Sequence, residues 1–312
     1  MRVAAIDCGT NSLRLLIADV DRRGTAHEVL RRSEVVRLGA GVDATGALDA
    51  AAIGRALALT REYARDCNHL GVRRMRFVAT SATRDASNSA VFTDGVAAAL
   101  AAWQCVPEVI SGRQEAFLSF RGATAGLAEA GLTPPYLVAD VGGGSTELVL
   151  GVNDVDAQIS LDIGSVRLTE RCLRADPPEA GEVAELTRHV DEALAVAART
   201  VPLPVVRTLV GTGGTVTTVA AHALGLTSYQ RERVHLCRVG VPDLLSACAD
   251  LAAMPRWRRA ALGFMHPGRV DVIVAGALIW RRVVELVAAG SGVTHVVTSE
   301  RDILDGIALT LA

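Results

Sequence analysis

The sequence contains no lysine, so all 32 of its basic residues are arginine. Biased codon usage is the simplest explanation, but the absence also excludes several classes of enzyme. A P-loop nucleoside triphosphatase needs the lysine of its GK[ST] motif, and a protein kinase needs a lysine on one strand. Enzymes that form a Schiff base through a lysine amine are excluded for the same reason.

Cysteine pairs, long apolar runs and a strong net charge are also missing. The six cysteines are scattered without a CxxC pair, which argues against a zinc site or a disulfide framework and fits a reducing cytoplasm. No apolar run approaches ~20 residues, and Asp7 comes too early for the apolar core of a signal peptide. With a net charge of −2, the chain does not have the excess of basic residues that is typical of nucleic-acid-binding proteins. We therefore expect a cytoplasmic protein without a membrane segment or a nucleic-acid partner.

The chain has the size and composition of a globular protein with about two domains. Its 312 residues are enough for two domains of ~100–200 residues each, and 50% of them are hydrophobic. We expect a first domain over residues 1–124 and a second over residues 125–299, with a closing helix at 300–312 that packs back on the first.

One pattern occurs twice in the chain: an apolar strand, an aspartate, a glycine-rich turn with a serine, and a second apolar strand. The first copy reads DCGTNSLRLLI and the second DVGGGSTELVL. Aligned without a gap, the pairs are Asp7 with Asp140, Gly9 with Gly142, Ser12 with Ser145, and Arg14 with Glu147. The last pair means that the two copies carry opposite charges just past the turn.

Each copy opens a similar succession of predicted elements. Period-2 apolar patterns predict three strands in each half, at Val3–Ile6, Leu13–Val20 and Glu28–Leu38, and at Tyr136–Val141, Glu147–Val152 and Ala157–Asp162. Helical and strand patterns then alternate, with a polar loop TSATRDASN in the first half and insertions in the second. The sequence thus predicts an α/β fold built from a duplicated domain, with a cleft between the copies and one turn from each facing it.

The repeated turns have the composition of phosphate-binding turns. Glycine frees backbone N–H groups to approach an anion, and hydroxyl or amide side chains add donors. The candidates are Gly9, Thr10, Asn11, Ser12, Gly142, Gly143, Gly144, Ser145 and Thr146, with Gly213 and Gly214 from a third turn, GTGGT. An aspartate at the end of the entering strand could share a divalent cation with the phosphate. An ordinary hairpin turn is the alternative for either copy alone, and the gapless repeat disfavours it.

Five motifs together resemble the exopolyphosphatase/guanosine-pentaphosphate phosphohydrolase (Ppx/GppA) family. They are DCGTNSLRLLI, TSATRDASN, ISGRQEAFLSFRGA, DVGGGSTELVL and GTGGTVTTVA, in the family's order and spacing. The resemblance implies duplicated ribonuclease-H-like domains of the actin-like ATPase superfamily. It also implies metal-dependent hydrolysis, with Mg²⁺ or Mn²⁺, of the terminal phosphoanhydride of inorganic polyphosphate or of pppGpp.

The resemblance places a catalytic acid in ISGRQEAF, where the family usually has two adjacent acids and this chain has Gln114 and Glu115. With Ser111 as the N-cap, Gln114 falls at the position whose side chain reaches back to the N-cap N–H. Glu115 lies about 100° further round the helix and is free to face the cleft. We therefore identify Glu115 with the family's catalytic acid, which would position the attacking water.

The remaining candidates flank the turns. We assign Asp140 and Glu147 to metal and water, with Asp7 as a weaker third metal ligand. Arg14 and Arg84 are the candidate phosphate clamps; for Arg84, an exposed arginine of a polar loop is the close alternative.

Exopolyphosphatase is the first functional hypothesis, and three others remain open. They are a pppGpp 5′-phosphohydrolase that gives ppGpp, a non-catalytic polyphosphate or guanosine-tetraphosphate sensor, and a sugar or acyl kinase of the same superfamily. Longer family members carry a further C-terminal helical region, so we expect this enzyme to release its chain after few cuts. A second subunit, as in a homodimer, would be the simplest source of additional cationic surface.

Overall fold

The computed structural model describes residues 1–21 and 26–311. Its contacts divide the chain into two units. The first comprises Met1–Gly122 and the segment that begins at Ile303, and the second comprises Ala123–Asp302. Within the described residues, no helix is both long enough and apolar enough to cross a bilayer.

The first unit is built on a five-stranded mixed sheet. Its elements in chain order are β1 (Arg2–Cys8), β2 (Ser12–Val20), β3 (Ala26–Val35), α1 (Val42–Thr45), α2 (Ala50–His69), β4 (Arg74–Ala79), α3 (Ser81–Asp85), α4 (Ser89–Ala99), β5 (Glu108–Val109) and α5 (Gly112–Thr124). The strand order is β3-β2-β1-β4-β5, with β1 to β3 antiparallel and β4 and β5 parallel to β1.

The second unit repeats this arrangement and adds an edge strand. Its elements are β6 (Tyr136–Val141), β7 (Thr146–Gly151), β8 (Val155–Leu161), α6 (Ser165–Cys172), α7 (Ala180–Thr200), β9 (Thr208–Thr212), α8 (Gly214–Ala223), α9 (Arg231–Val234), β10 (Arg238–Gly240), α10 (Val241–Ala253), α11 (Arg256–Ala260), α12 (Ile273–Ser291) and β11 (His295–Thr298). The strand order is β10-β11-β9-β6-β7-β8. Two sheets that share a β-meander followed by parallel strands confirm the predicted duplicated α/β fold.

Sequence and structure differ in the first unit at two places near the first turn. The third strand, predicted to reach Leu38, ends at Val35, because the N–H groups of Val36 and Arg37 donate to the carbonyl oxygen of Asn11. The segment TSATRDASN, predicted to be a loop, contains the one-turn helix α3. A single turn is too short to show helical periodicity in the sequence.

The closing helix α13 (Ile303–Leu309) packs on β1 and β2 of the first unit. It is shorter than the predicted helix over residues 300–312, since it begins at Ile303 and ends at Leu309, and Ala312 lies outside the described residues. Ile303, Leu304 and Ile307 are buried in an apolar cluster with residues of β1, β2 and α5. This packing fixes the helix that carries the candidate catalytic acid.

Gly306 brings α13 into backbone contact with α5. A Cβ atom at Gly306 would overlap the carbonyl oxygen of Leu118 and lie 2.8 Å from its carbonyl carbon. We expect Gly306→Ala to destabilise the protein by about 1–3 kcal/mol, because overpacking forces the two helices apart. Gly54→Ala is the control, since Gly54 lies in α2 with nothing within 4 Å of a Cβ atom. A melting temperature of Gly306→Ala equal to that of the control would contradict this packing.

Candidate active site

The two repeated turns have the same backbone hydrogen bond at the aligned positions. The N–H of Gly9 donates to the carbonyl of Ser12, and the N–H of Gly142 donates to the carbonyl of Ser145, both at 3.0 Å. Each turn follows a strand that ends just after its aspartate and precedes the antiparallel partner strand. The repeat read from the sequence is therefore a repeat of structure.

In the first unit, the aspartate before the turn forms an ion pair. Asp7 lies directly opposite Arg14 in the β1–β2 register. Arg14 donates from Nε at 2.9 Å and from Nη2 at 2.5 Å to Oδ2 of Asp7, which is only 2% exposed. The charge of Asp7 is thus balanced within the sheet, which weakens its case as a metal ligand.

The first turn is held in place by the segment after β3 and by α3. The hydroxyl groups of Thr10 and Ser81 form a buried hydrogen bond of 2.8 Å. A Cβ atom at Gly39 would overlap Cγ2 of Thr10, so this close approach requires glycine. The Thr10 hydroxyl is therefore turned inward, whereas Asn11 and Ser12 are half-buried and remain the candidate side-chain donors of this turn.

The predicted capping of α5 is confirmed. The N–H of Ser111 donates to Oε1 of Gln114 at 3.0 Å, and the N–H of Gln114 donates to Oγ of Ser111 at 3.3 Å. Gln114 is exposed, whereas Glu115 is only 9% exposed. The two adjacent residues therefore differ in environment, with Gln114 exposed at the helix start and Glu115 buried.

Arg84, the second candidate phosphate clamp, lies against the candidate catalytic acid. Its Nη1 atom donates to Oε2 of Glu115 at 3.2 Å and to the carbonyl of Ile110 at 2.9 Å. The contact orients the Glu115 carboxylate and keeps a guanidinium group beside it. The sequence placed both residues in the site but gave no indication that they touch.

In the second unit, the position of the ion pair is occupied by two carboxylates. Asp140 lies directly opposite Glu147 in the β6–β7 register, so their side chains share one face of the sheet. Such residues have Cβ atoms about 4.5–5.5 Å apart, and like charges at this spacing destabilise a sheet. Glu147 is only 2% exposed and accepts a hydrogen bond of 2.7 Å from the hydroxyl of Ser160. The second unit thus places two acids in register where the first unit has an acid and a base.

The first residues of α6 hold the second turn by backbone hydrogen bonds. The N–H groups of Ser165 and Val166 donate to the carbonyls of Gly142 and Gly143 at 2.9 and 2.8 Å. Ser145 and Thr146 are buried, and the Thr146 hydroxyl donates to the carbonyl of Ile163 at 2.7 Å. Of the two hydroxyls, Ser145 is thus the better candidate donor to a phosphate.

An arginine that the sequence analysis did not assign also contacts this turn. Nε of Arg167 donates to the carbonyl of Gly144 at 2.8 Å. The signal in the sequence was an arginine in the first turn of a helix directly after the third strand of the repeat. Without the fold, nothing linked that helix to the turn.

Gly164, the residue before α6, lies against the backbone of the second turn. A Cβ atom there would overlap the carbonyl oxygen of Gly143 and lie 2.5 Å from the carbonyl carbon of Gly144. We expect Gly164→Ala to displace the turn and to lower kcat/KM about tenfold, because small misplacements of binding groups are costly. Gly181→Ala on α7 is the control, with nothing within 4 Å of its Cβ atom. Equal kinetics for the two variants would show that the turn tolerates displacement.

The third glycine turn lies beside Asp140. Gly213 has a φ of +90°, and a Cβ atom there would lie 2.8 Å from Oδ1 of Asp140. A Cβ atom at Gly214 would overlap the guanidinium group of Arg269, which also donates to the hydroxyl of Thr218 at 3.4 Å. The structure therefore brings the second and third turns together, and adds Arg269, to which the sequence gave no role.

Comparisons with known proteins agree on one family. A profile of the Ppx/GppA phosphatase family matches residues 16–310. The chain is 50% identical over 318 residues to exopolyphosphatase 2 of Mycobacterium tuberculosis (strain ATCC 25618 / H37Rv), covering 100% of this chain and 98% of the relative. Among solved structures, it is similar to an exopolyphosphatase-like protein, with a TM-score of 0.95, 42% identity and coverage of 100% and 97%. An Aquifex aeolicus member of the Ppx/GppA family gives a TM-score of 0.80 and 30% identity, with coverage of 100% and 97%.

Proposed function

The chain belongs to the Ppx/GppA phosphatase family, and on that premise we propose that it is an exopolyphosphatase, which releases orthophosphate from the end of inorganic polyphosphate. The observation that carries the proposal is the 50% identity over the full length with a protein named exopolyphosphatase. The buried carboxylates Glu115 and Glu147 and the half-buried carboxylate Asp140 support the reaction type, because hydrolysis of an anhydride needs a base and a cation site.

Glu115 is the residue that we propose to act on water. In the reaction, a water oxygen forms a bond to the terminal phosphorus, and the bridging oxygen leaves with the shortened chain. The water proton needs an acceptor, and a carboxylate within hydrogen-bonding reach can provide it. The hydrogen bond of 3.2 Å from Arg84 to Oε2 of Glu115 supports this role. It holds the carboxylate in one orientation, so the position of the other carboxylate oxygen is also fixed.

Asp140 and Glu147 fit a hard divalent cation, and we propose that they hold Mg²⁺ or Mn²⁺. Both offer carboxylate oxygens, the ligands that Mg²⁺ prefers. They lie side by side in register, and the missing Cβ atom of Gly213 leaves space beside Oδ1 of Asp140. A cation bound there would supply positive charge to the phosphate oxygens as negative charge develops. Asp7 is more suited to positioning Arg14, with which it is paired.

We propose phosphate-binding groups in each unit, made of backbone N–H groups, hydroxyl or amide side chains and arginines. In the first unit, they are Asn11 and Ser12 of the turn, together with Arg14 and Arg84, since the N–H of Gly9 is bonded within the turn. In the second unit, where the N–H of Gly142 is likewise bonded within the turn, they are Gly143, Gly144, Ser145, Gly213 and Gly214, together with Arg167 and Arg269. Arginine suits this task because its planar guanidinium matches two oxygens of a phosphate.

We propose the cytoplasm as the location of the protein. All six cysteines, which lie in the described ranges, are free, and five of them are buried. Burial raises the pKa of the Cys67 thiol to about 12 and raises the pKa of the Cys8 thiol well above its usual range. Unpaired thiols of this kind are typical of a reducing compartment.

The proposal is tested by measuring phosphate release from short polyphosphate, long polyphosphate, pppGpp and ATP in parallel, with Mg²⁺ and with a chelator. We expect the fastest release from polyphosphate and loss of release on chelation. Faster release from pppGpp would contradict the proposal and indicate that the protein is a pppGpp 5′-phosphohydrolase. Binding of any of these ligands without release would indicate a sensor, and ADP formed only when a sugar or an acyl acceptor is added would indicate a kinase.

A further inference from the structure

A second group of potential metal ligands lies in the second unit, between α6 and α7. Cys172 is the last residue of α6, and Glu185 and His189 are one turn apart on α7. One ligand atom from each residue lies within 4.8 Å of the other two. Residues four apart on a helix share a face, which explains why Glu185 and His189 both point toward Cys172.

We propose that Cys172, Glu185 and His189 bind a thiophilic divalent transition metal, of which Zn²⁺ is the representative. Thiolate, imidazole and carboxylate are the three ligand types of Zn²⁺ in proteins, whereas Mg²⁺ prefers oxygen alone. Three protein ligands leave a fourth position for water. The sequence argued against a zinc site because no CxxC pair is present. These ligands come instead from two helices that only the fold brings together.

The groups around the cluster act on the Cys172 thiol in both directions, and its pKa is raised on balance. Burial is the largest influence on the Cys172 thiol and raises its pKa, as does Glu185, whereas Arg171, Arg174 and Arg188 lower it. Arg188 donates to Nε2 of His189 at 3.3 Å and to Glu192 at 2.7 Å. When the metal binds, the thiol releases its proton to water and a metal–sulfur bond forms. Arg188 gives up its hydrogen bond to the imidazole of His189 and keeps its hydrogen bond to Glu192.

The position of the cluster means that a bound metal would restrain the helix α6 against α7. The first residues of α6 donate to the carbonyls of Gly142 and Gly143 in the second turn, and the last residue of the same helix is Cys172. A metal at Cys172 therefore ties the far end of the helix that supports this turn to α7. Two metals of different chemistry would then serve the second unit, a hard one at Asp140 and Glu147 and a thiophilic one at this cluster.

The test is Co²⁺ titration of the full chain in the presence of excess Mg²⁺, followed by absorption spectroscopy. We expect a sulfur-to-cobalt charge-transfer band in the near ultraviolet that saturates at one equivalent and disappears when Zn²⁺ is added. Oxygen ligands give no such band, so the Mg²⁺ site does not contribute. Cys172→Ser should lose the band, and His189→Gln should weaken Co²⁺ binding about tenfold or more.

Cys237→Ser is the matched control, because Cys237 is the one cysteine of the six that is half-buried and not buried. It should keep the band, and Zn²⁺ should raise the melting temperature of this variant and of the wild type. A wild-type protein without the band would overturn the proposal, and so would a band that survives in Cys172→Ser. If Cys172→Ser does not fold, unchanged Co²⁺ affinity of His189→Gln would overturn it equally.

Discussion

Replacing Glu115 with glutamine should lower turnover by about 10²-fold or more and leave the fold intact, because a lost base or water-positioning group typically costs this much. The carboxylate is 9% exposed and accepts a hydrogen bond from Arg84 at 3.2 Å. Glutamine keeps the size of the side chain and an oxygen for Arg84, but its amide cannot take a proton from water. The helix start does not depend on Glu115, because the capping hydrogen bonds belong to Ser111 and Gln114.

The matched control for this prediction is the neighbouring Gln114→Glu. Gln114 is exposed, and glutamate serves as well as glutamine in the capping box, so this variant should have nearly wild-type turnover. Both variants should have circular dichroism spectra and melting temperatures close to those of the wild type. Wild-type turnover in Glu115→Gln, or a large gain in Gln114→Glu, would mean that the catalytic acid has been wrongly identified.

Asp140→Asn should raise the Mg²⁺ concentration needed for half-maximal activity about 10²-fold, more than it changes stability. Loss of even an outer partner of a metal ligand costs ~10–100-fold in affinity, and loss of a ligand's charge should cost at least as much. The substitution also relieves the repulsion from Glu147 directly opposite, so we expect the metal-free protein to melt at the same temperature or higher. The measurement is a Mg²⁺ titration of activity beside thermal unfolding in a chelator.

Asp156→Asn provides the control, because Asp156 is an exposed aspartate on β8 of the same sheet. It should leave the Mg²⁺ requirement unchanged. If Asp140→Asn behaves like this control, Asp140 is not a metal ligand. If a chelator leaves hydrolysis by the wild type intact, the proposed role of the metal is wrong altogether.

Much of the fold and part of the site could be predicted because the information is local in the sequence. The two Asp-turn-strand copies share a gapless pattern, and both turns form the same backbone hydrogen bond. The start of α5 was predictable because Ser111 and Gln114 are three residues apart and need no other part of the chain. Buried strands such as β6 carry their own apolar pattern, with one aspartate near the end.

The rest depends on residues that are distant in the sequence. The contact of Arg84 with Glu115, of Arg167 with Gly144 and of Arg269 with Gly214 each joins different elements, and no pattern within one element indicates them. The edge strand β10 has only three residues, and its pairing with β11 decides its conformation. The ligands at Cys172, Glu185 and His189 were not predicted because they come from two helices.

The central claim is that this chain directs water to the terminal phosphorus of a phosphate chain. It is tested most directly by hydrolysis of polyphosphate in water labelled with oxygen-18, with Mg²⁺ present and with mass spectrometry of the products at early times. We predict that the released orthophosphate carries one labelled oxygen and that the shortened chains carry none. Label in the shortened chains, with unlabelled orthophosphate, would place the attack on the next phosphorus and contradict the account.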